Sequence, residues 1–161
     1  MAATVKDTCR HPARQVANAL LKLAAEAGET LTPMQLIKLV YLCHGWMLGL
    51  HGRPLITEPV EAWAYGPVVR DLYDAVKKYR SGPVTEQLLV ATAPDFDEVE
   101  TDTIRQTYEQ YGKFSGPALS RLTHMPHSPW SVTYDKLGQN AGISNDLIQD
   151  HFAGLAQTHA A

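Results

Sequence analysis

Four histidines are the side chains whose types and spacing could bind a metal ion. His44 and His51 lie seven residues apart, which places them on one face of a helix, and His124 and His127 lie three apart beside a predicted loop. Neutral imidazoles are common zinc ligands, and these four would form a site only if the two regions met in the fold. A metal-dependent hydrolase of unknown substrate is therefore the enzymatic alternative.

The sequence contains none of the short motifs that assemble a catalytic centre. There is no HExxH, no Cys-x-x-Cys pair, no GxSxG, no GxxxxGK(S/T) phosphate loop and no GxGxxG after a predicted strand. His124 is more simply interpreted as a hydrogen-bonded residue beside Thr123. We therefore expect a protein that is not an enzyme, with no catalytic residue, no metal and no cofactor.

Large aromatic and arginine side chains are the better candidates for a functional surface. A few desolvated side chains of these types dominate the binding energy of most protein interfaces. The candidates for contact with a partner are Trp63, Tyr65, Arg70 and Trp130. The alternative for Trp63 and Trp130 is a packing role in the core or at a junction, where large aromatic residues usually lie.

The second predicted helix, over residues 33–50, should form the centre of the fold. Thr32 is a typical N-cap, and Pro33 fits the first helical position, where a missing amide proton costs nothing. The polar residues that interrupt its apolar sequence are Gln35, Lys38 and His44. Nearly the whole circumference therefore prefers a dry environment. The small pair Gly45 and Gly49 should let another helix approach closely.

The remaining pattern predicts a mainly α-helical fold, built around that buried helix, with a possible short β-ribbon. Further helices are predicted over 12–27, from Gly66-Pro67 to about Arg80, from Asp95 with Glu98 as a capping box to Gly112, from Ser115 to Leu122, and from Ser144 to about Ala156. One short strand is expected within residues 55–65, and residues 84–91 could pair with it.

Lys38 and the Gly66-Pro67 step each allow two interpretations. Burying an unpaired ammonium is costly, so we nominate Glu61 as the partner of Lys38; otherwise Lys38 lies at the surface and covers apolar neighbours with its methylenes. Gly66 permits unusual backbone angles and Pro67 preorganises a helix start. Alternatively, the free amides behind them bind an anion.

The charge distribution disfavours nucleic acid as a partner. The formal net charge is −3 at pH 7 and the basic residues are scattered. The local cluster of Lys77, Lys78 and Arg80 closes a predicted helix, where cations complement the negative end of the dipole. An acidic run at residues 95–102 could dock a basic partner, although such charges usually stabilise the first turns of a helix.

Composition predicts a globular protein of the cytoplasm. The chain is 45% hydrophobic and 19% charged, and it lacks an apolar run long enough to span a membrane. Its first residues lack the apolar core of a secretory signal, and Cys9 and Cys43 form no Cys-x-x-Cys pair, so both should remain thiols. The length predicts one domain over residues 1–161.

Three segments together resemble the Panacea domain family, the SocA-like antitoxins of bacterial and phage toxin–antitoxin pairs. The segments are Gln35 to Asp71, Leu119 to His124, and Pro129-Trp130. Within them the specific signatures are Glu61-Ala62-Trp63-x-Tyr65-Gly66-Pro67-Val68 and Leu122-Thr123-His124 followed by Pro129-Trp130. The resemblance covers roughly residues 15–153.

The resemblance implies a non-enzymatic protein that binds and neutralises a co-encoded protein toxin. Neutralisation could be direct, by covering the active surface of the toxin, or indirect, through an adaptor that presents the toxin to a ClpXP-type protease. The residues interpreted as a structural signature are Lys38, Glu61, Gly66, Pro67, Thr123 and His124.

Overall fold

Helices dominate the architecture, which confirms the predicted mainly α-helical fold. The structure, a computed structural model, describes residues 10–160, with side chains as far as residue 158. In this part of the chain the elements are α1 (Ala13–Glu26), α2 (Pro33–His51), β1 (Val60–Trp63), β2 (Gly66–Val68), α3 (Arg70–Val76), α4 (Glu98–Tyr111), α5 (Gly116–Thr123), α6 (Pro129–Leu137), β3 (Ala141–Ile143) and α7 (Asn145–Ala160). A 3-10 turn, Lys77–Tyr79, extends α3. Cys9 and the N-terminal residues used to predict the compartment lie outside the described range.

The helix α2 is the central element, as predicted. The Thr32 hydroxyl accepts a hydrogen bond from the Gln35 amide at 3.3 Å, and the Gln35 side chain accepts one from the Thr32 amide at 2.8 Å. This capping box precedes a helix that packs against α1, α4, α5 and α7. None of the helices in the described range is long and apolar enough to cross a membrane.

The glycine pair of α2 allows α7 to pack closely, which confirms the predicted approach of a second helix. A Cβ atom added to Gly45 would overlap the ring of Phe152. One added to Gly49 would lie 2.5 Å from the Phe152 Cβ atom and 2.8 Å from the Ala153 nitrogen. The Phe152 side chain is 2% exposed, so it lies in the core between the two helices.

The sheet has three antiparallel strands in the order β2-β1-β3. Glu61 lies opposite Val68 on one side, and Val60 lies opposite Ile143 on the other. The short strand predicted within residues 55–65 is confirmed, but the predicted pairing with residues 84–91 is wrong. That segment has no strand, and its Leu88 amide donates to Asn18 of α1 at 2.7 Å. Both edges of β1 are already occupied by β2 and β3.

Two predicted helix starts are wrong. Gly66 and Pro67 belong to β2, so α3 begins at Arg70. The helix α4 is capped by Asp97, two residues after the predicted Asp95, because Asp97 and Glu100 form the reciprocal capping box. The Asp-x-x-Glu pattern occurs twice in this run, and tertiary structure selects the second copy: Glu100 is buried and its Oε1 atom lies 3.0 Å from His11 Nε2. The acidic run thus begins a helix, as the second interpretation predicted.

The last two predicted N-caps are confirmed. The Ser115 hydroxyl accepts a hydrogen bond from the Ala118 amide, and the Ser144 hydroxyl accepts one from the Leu147 amide, both at 3.1 Å. The helix α7 continues to Ala160, four residues beyond the predicted end.

Alanine at Gly49 should destabilise the protein, whereas alanine at Gly154 should stabilise it. The first substitution places a methyl group against Phe152, and such overpacking lowers the free energy of unfolding by about 1 to 3 kcal/mol. Gly154 lies on the exposed face of α7 with nothing within 4 Å of the added atom, so Gly154→Ala should gain about 0.5 to 1 kcal/mol of helix propensity. Denaturant unfolding measures both. Equal effects would contradict the close packing of α2 on α7.

Candidate partner-binding surface

Four of the signature residues meet where α2, β2 and α5 come together. The Lys38 ammonium donates a hydrogen bond to the Pro67 carbonyl oxygen at 2.9 Å, and Lys38 is only 2% exposed. A Cβ atom on Gly66 would lie 2.9 Å from Lys38 Nζ and 3.3 Å from Thr123 Oγ1, and Gly66 has a φ of +116°. Position 66 therefore requires glycine both for its backbone conformation and for the close approach of Lys38.

Neither interpretation of Lys38 made from the sequence is correct. Its partner is a backbone carbonyl and not Glu61, and the side chain is buried instead of lying at the surface. Burial lowers the pKa of Lys38 from 10.5 to about 7, because desolvation penalises the charged form. The chain thus keeps an amine that titrates near neutral pH beneath the β1–β2 hairpin.

Glu61 instead organises the two anchors beside it. The Arg70 Nη2 atom donates to Glu61 Oε1 at 2.8 Å, and the Trp63 indole donates to the same oxygen at 2.9 Å. Burial opposes ionisation of Glu61, but these hydrogen bonds outweigh it and lower the pKa of the carboxyl group. The Arg70 guanidinium also lies 5.1 Å from the centre of the Trp63 ring. One carboxylate therefore holds both side chains in place.

The structure divides the four predicted anchors into three at the surface and one behind it. Tyr65 lies in the turn of the hairpin with 73% of its surface exposed, two residues after the half-buried Trp63, and Arg70 is exposed where α3 begins. The Trp130 indole points the other way and donates to the Trp63 carbonyl oxygen at 2.6 Å. The Trp130 ring contacts His124 at 4.6 Å between ring centres. The contacts of Trp130 favour a packing role, in which it supports the hairpin.

A cleft of about 550 Å³ opens beside these anchors, and we call it the hairpin cleft. Its lining residues are Pro33, Met34, Ile37, Lys38, Trp63, Ala64, Tyr65, Val68, Tyr73, Lys77, Arg80 and Gln139. Tyr73 of α3 is 37% exposed and packs edge-on against Trp63, with 5.0 Å between the ring centres. The spacing of Arg70, Tyr73 and Lys77, three and then four residues, is the sequence signal that could have placed them on one face.

Two of the four histidines considered as metal ligands, His44 and His124, make other contacts in the structure. His44 Nε2 lies 3.0 Å from Asn145 Oδ1, and its Nδ1 atom accepts a hydrogen bond from the Leu55 amide at 3.1 Å. Burial lowers the pKa of His44 to about 4, which keeps the ring neutral. His124 Nδ1 lies 2.8 Å from the Ser120 carbonyl oxygen. Within residues 10–158, no three His, Cys, Asp or Glu side chains are grouped so that they could hold a metal ion.

A protein-family model matches the part of the chain that carries this surface. The model of the family described as "Antitoxin SocA-like, Panacea domain" matches residues 36–131. The chain belongs to this family. The matched range begins in α2 and ends in α6, so it contains every signature residue and every predicted anchor of the Panacea domain named above.

A curated relative supports the same assignment. Antitoxin SocA of Caulobacter vibrioides (strain NA1000 / CB15N) is 30% identical in an alignment that covers 87% of this chain and 81% of the relative. Comparison with solved structures gives no match. Membership in the Panacea family supports an antitoxin role for this chain and suggests that the role is regulatory and not enzymatic.

The buried amine of Lys38 should make stability increase with pH. The pKa of Lys38 is about 7 in the folded chain and 10.5 in the unfolded chain. Between these two pH values the unfolded chain therefore binds one proton more than the folded chain. The free energy of unfolding, measured relative to Lys38→Met, should therefore rise by about 1.4 kcal/mol per pH unit across this window and stay level below it. Denaturant unfolding of both proteins at several pH values tests this, since other titrating groups cancel. A difference that does not change with pH would contradict the burial of Lys38.

Proposed function

We propose that this chain is a cytoplasmic antitoxin that acts as one Panacea domain, binds a co-encoded protein toxin and neutralises it through protein contacts. Family membership supports the antitoxin role. The observation that carries the choice of surface is the exposed Tyr65 on a hairpin that Lys38 anchors from below, with Trp63 on the same hairpin and Arg70 at the start of α3. Tyrosine, tryptophan and arginine are the residue types that most often dominate binding at protein interfaces.

The rigidity of Trp63 and Arg70, two of the three anchors, supports this choice. Association costs free energy for each flexible side chain that must be ordered, and side chains already held in place avoid part of that cost. Glu61 holds both Trp63 and Arg70 through hydrogen bonds of 2.8 to 2.9 Å, and Trp130 supports the Trp63 backbone from behind. The hairpin therefore presents a preorganised surface.

Binding at this surface is also the first requirement of the adaptor mode. An adaptor that delivers a toxin to a ClpXP-type protease must hold the toxin before the protease acts. Direct neutralisation and delivery thus share the same contact, and they differ in whether the toxin is destroyed.

Tyr65→Ala should weaken toxin binding without loss of stability. The ring is exposed, so its removal leaves no cavity, whereas truncation of an interface anchor commonly costs more than about 1 kcal/mol of binding free energy. Affinity for the protein encoded by the neighbouring gene, measured by calorimetry, should fall at least about fivefold. The melting temperature should stay unchanged.

The matched control is Leu89→Ala, since Leu89 is 85% exposed and lies outside the hairpin cleft, beside Arg14 of α1. This variant should bind as the unchanged chain does. Equal affinity of the Tyr65→Ala variant and the unchanged chain would refute the proposed surface. Failure of the unchanged chain to bind the neighbouring product would refute the antitoxin proposal itself.

A degradation assay separates the two modes of neutralisation. The purified toxin is incubated with ClpXP and ATP, with or without this chain. We expect the chain to suppress toxin activity when no protease is present, because contact alone covers the toxin surface. Suppression only when ClpXP is present, together with loss of the toxin band, would replace direct neutralisation with delivery.

A further inference from the structure

The hairpin cleft has a local charge opposite to that of the whole chain. Its twelve lining residues include three cations, Lys38, Lys77 and Arg80, and no acidic residue. The chain as a whole has a formal net charge of −3. Lys77 shares its charge with Asp74, whose carboxylate lies 3.3 Å away. The positive character of the cleft therefore comes mainly from Arg80 at its rim, together with Lys38 in its wall when that amine is protonated.

Lys38 retains hydrogen-bonding capacity toward this cleft. An ammonium group has three donors, and within the described residues the Pro67 carbonyl is the one hydrogen-bond acceptor that Lys38 contacts. The lowered pKa of Lys38 shows that nearby groups compensate little of the cost of its burial. A carboxylate oxygen brought into the cleft would provide an acceptor and a compensating charge. Charge-assisted hydrogen bonds of this kind are about twice as strong as neutral ones.

Arg80 occupies a backbone conformation that favours glycine. Its φ is 55° and its ψ is −117°, at the second position of a turn closed by the hydrogen bond from the Gly82 amide to the Tyr79 carbonyl at 2.9 Å. Glycine is the residue preferred at that position of such turns, and any other residue there is strained. The chain keeps an arginine in this place, and within residues 10–158 its guanidinium has no ion-pair partner.

The rest of the cleft wall is apolar and of a size that fits side chains of a partner. Met34, Ile37 and Val68 line it together with the aromatic rings of Trp63 and Tyr73. Its volume of about 550 Å³ lies within the range of about 300 to 1,000 Å³ that is typical of ligand sites. Apolar walls with a few cations are complementary to a segment that carries both apolar and acidic side chains.

We infer that the hairpin cleft binds an acidic, apolar segment of the partner protein, with a carboxylate directed at Lys38 and Arg80 and an apolar side chain against Ile37 and Trp63. This inference rests on the proposed antitoxin function, and it names the chemistry of the toxin segment that the cleft recognises. Tyr65 and Arg70 then form the rim around that segment, and the cations of the cleft select a segment that carries negative charge.

The first test measures binding of the neighbouring gene product by calorimetry to the unchanged chain and to Lys38→Met, Arg80→Gly and Lys78→Met. Loss of the charge of Lys38 or of Arg80 should weaken binding about tenfold, which is the contribution of one charge-assisted hydrogen bond to affinity. Lys78 is the matched control, because it is an exposed cation of the neighbouring 3-10 turn Lys77–Tyr79 and does not line the cleft. Lys78→Met should leave the affinity within about twofold of that of the unchanged chain.

The two cleft variants are chosen because loss of folding should not explain their effect. Lys38→Met removes a buried amine, and Arg80→Gly relieves the strained turn, so neither should lower the melting temperature by much. If Lys38→Met unfolds, Arg80→Gly decides the question alone. Unchanged affinity in a folded Arg80→Gly variant would overturn the inference while the antitoxin proposal stood.

A second test does not depend on the toxin. The full chain is titrated with phenylacetate, with its neutral amide phenylacetamide and with inorganic phosphate, and amide signals of Tyr65 and Tyr73 are followed by NMR. Phenylacetate should shift these signals at about tenfold lower concentration than phenylacetamide, and the preference should vanish in Arg80→Gly. Equal responses to the first two probes, or no response, would overturn the inference. Stronger binding of phosphate would do so as well, because it would indicate a polyanion such as nucleic acid as the occupant.

Discussion

The buried hydrogen bond from Lys38 to the Pro67 carbonyl is the interaction on which the rest of the surface depends. It joins the central helix to the β1–β2 hairpin across a distance of 2.9 Å, in a place that water scarcely reaches. A well-packed apolar residue at such a position is often as stable as a charged one or more so. A lysine there costs stability, and in return it fixes where the hairpin lies on α2 and leaves an amine in the wall of the cleft.

The signature residues act as one set of contacts around that bond. Gly66 has to lack a side chain because Lys38 and Thr123 occupy the space beside it. Trp130 donates to the backbone of Trp63 from behind the hairpin, 67 residues further along the chain. The two separate sequence motifs that resemble the Panacea family thus belong to a single structural unit, and the hairpin, the cleft and the exposed anchors all rest on it.

The sequence was a good guide where the relevant physics was local, and a poor one where it was not. The capping residues Thr32 and Ser115 were predicted correctly, because an N-cap bonds to an amide only three residues away. The Asp-x-x-Glu pattern was placed two residues early, since the choice between its copies depends on His11, which packs against Glu100 from 89 residues away. The partner of Lys38 was predicted wrongly because it is a backbone carbonyl. Every residue carries one, so the residue types do not indicate which carbonyl a side chain will contact.

The amino-acid sequence by itself therefore determined the mainly helical fold, the central position of α2 and the family. Periodicity and capping are short-range effects, and the spacing of residues along one element expresses them directly. Only the tertiary structure decided that β1 pairs with β2 and β3, that Trp130 lies behind the hairpin, and that Lys38 and Arg80 line one cleft. Those outcomes depend on which distant segments of the chain contact one another. Excluded volume and burial decide these contacts, and they act only when the whole chain packs.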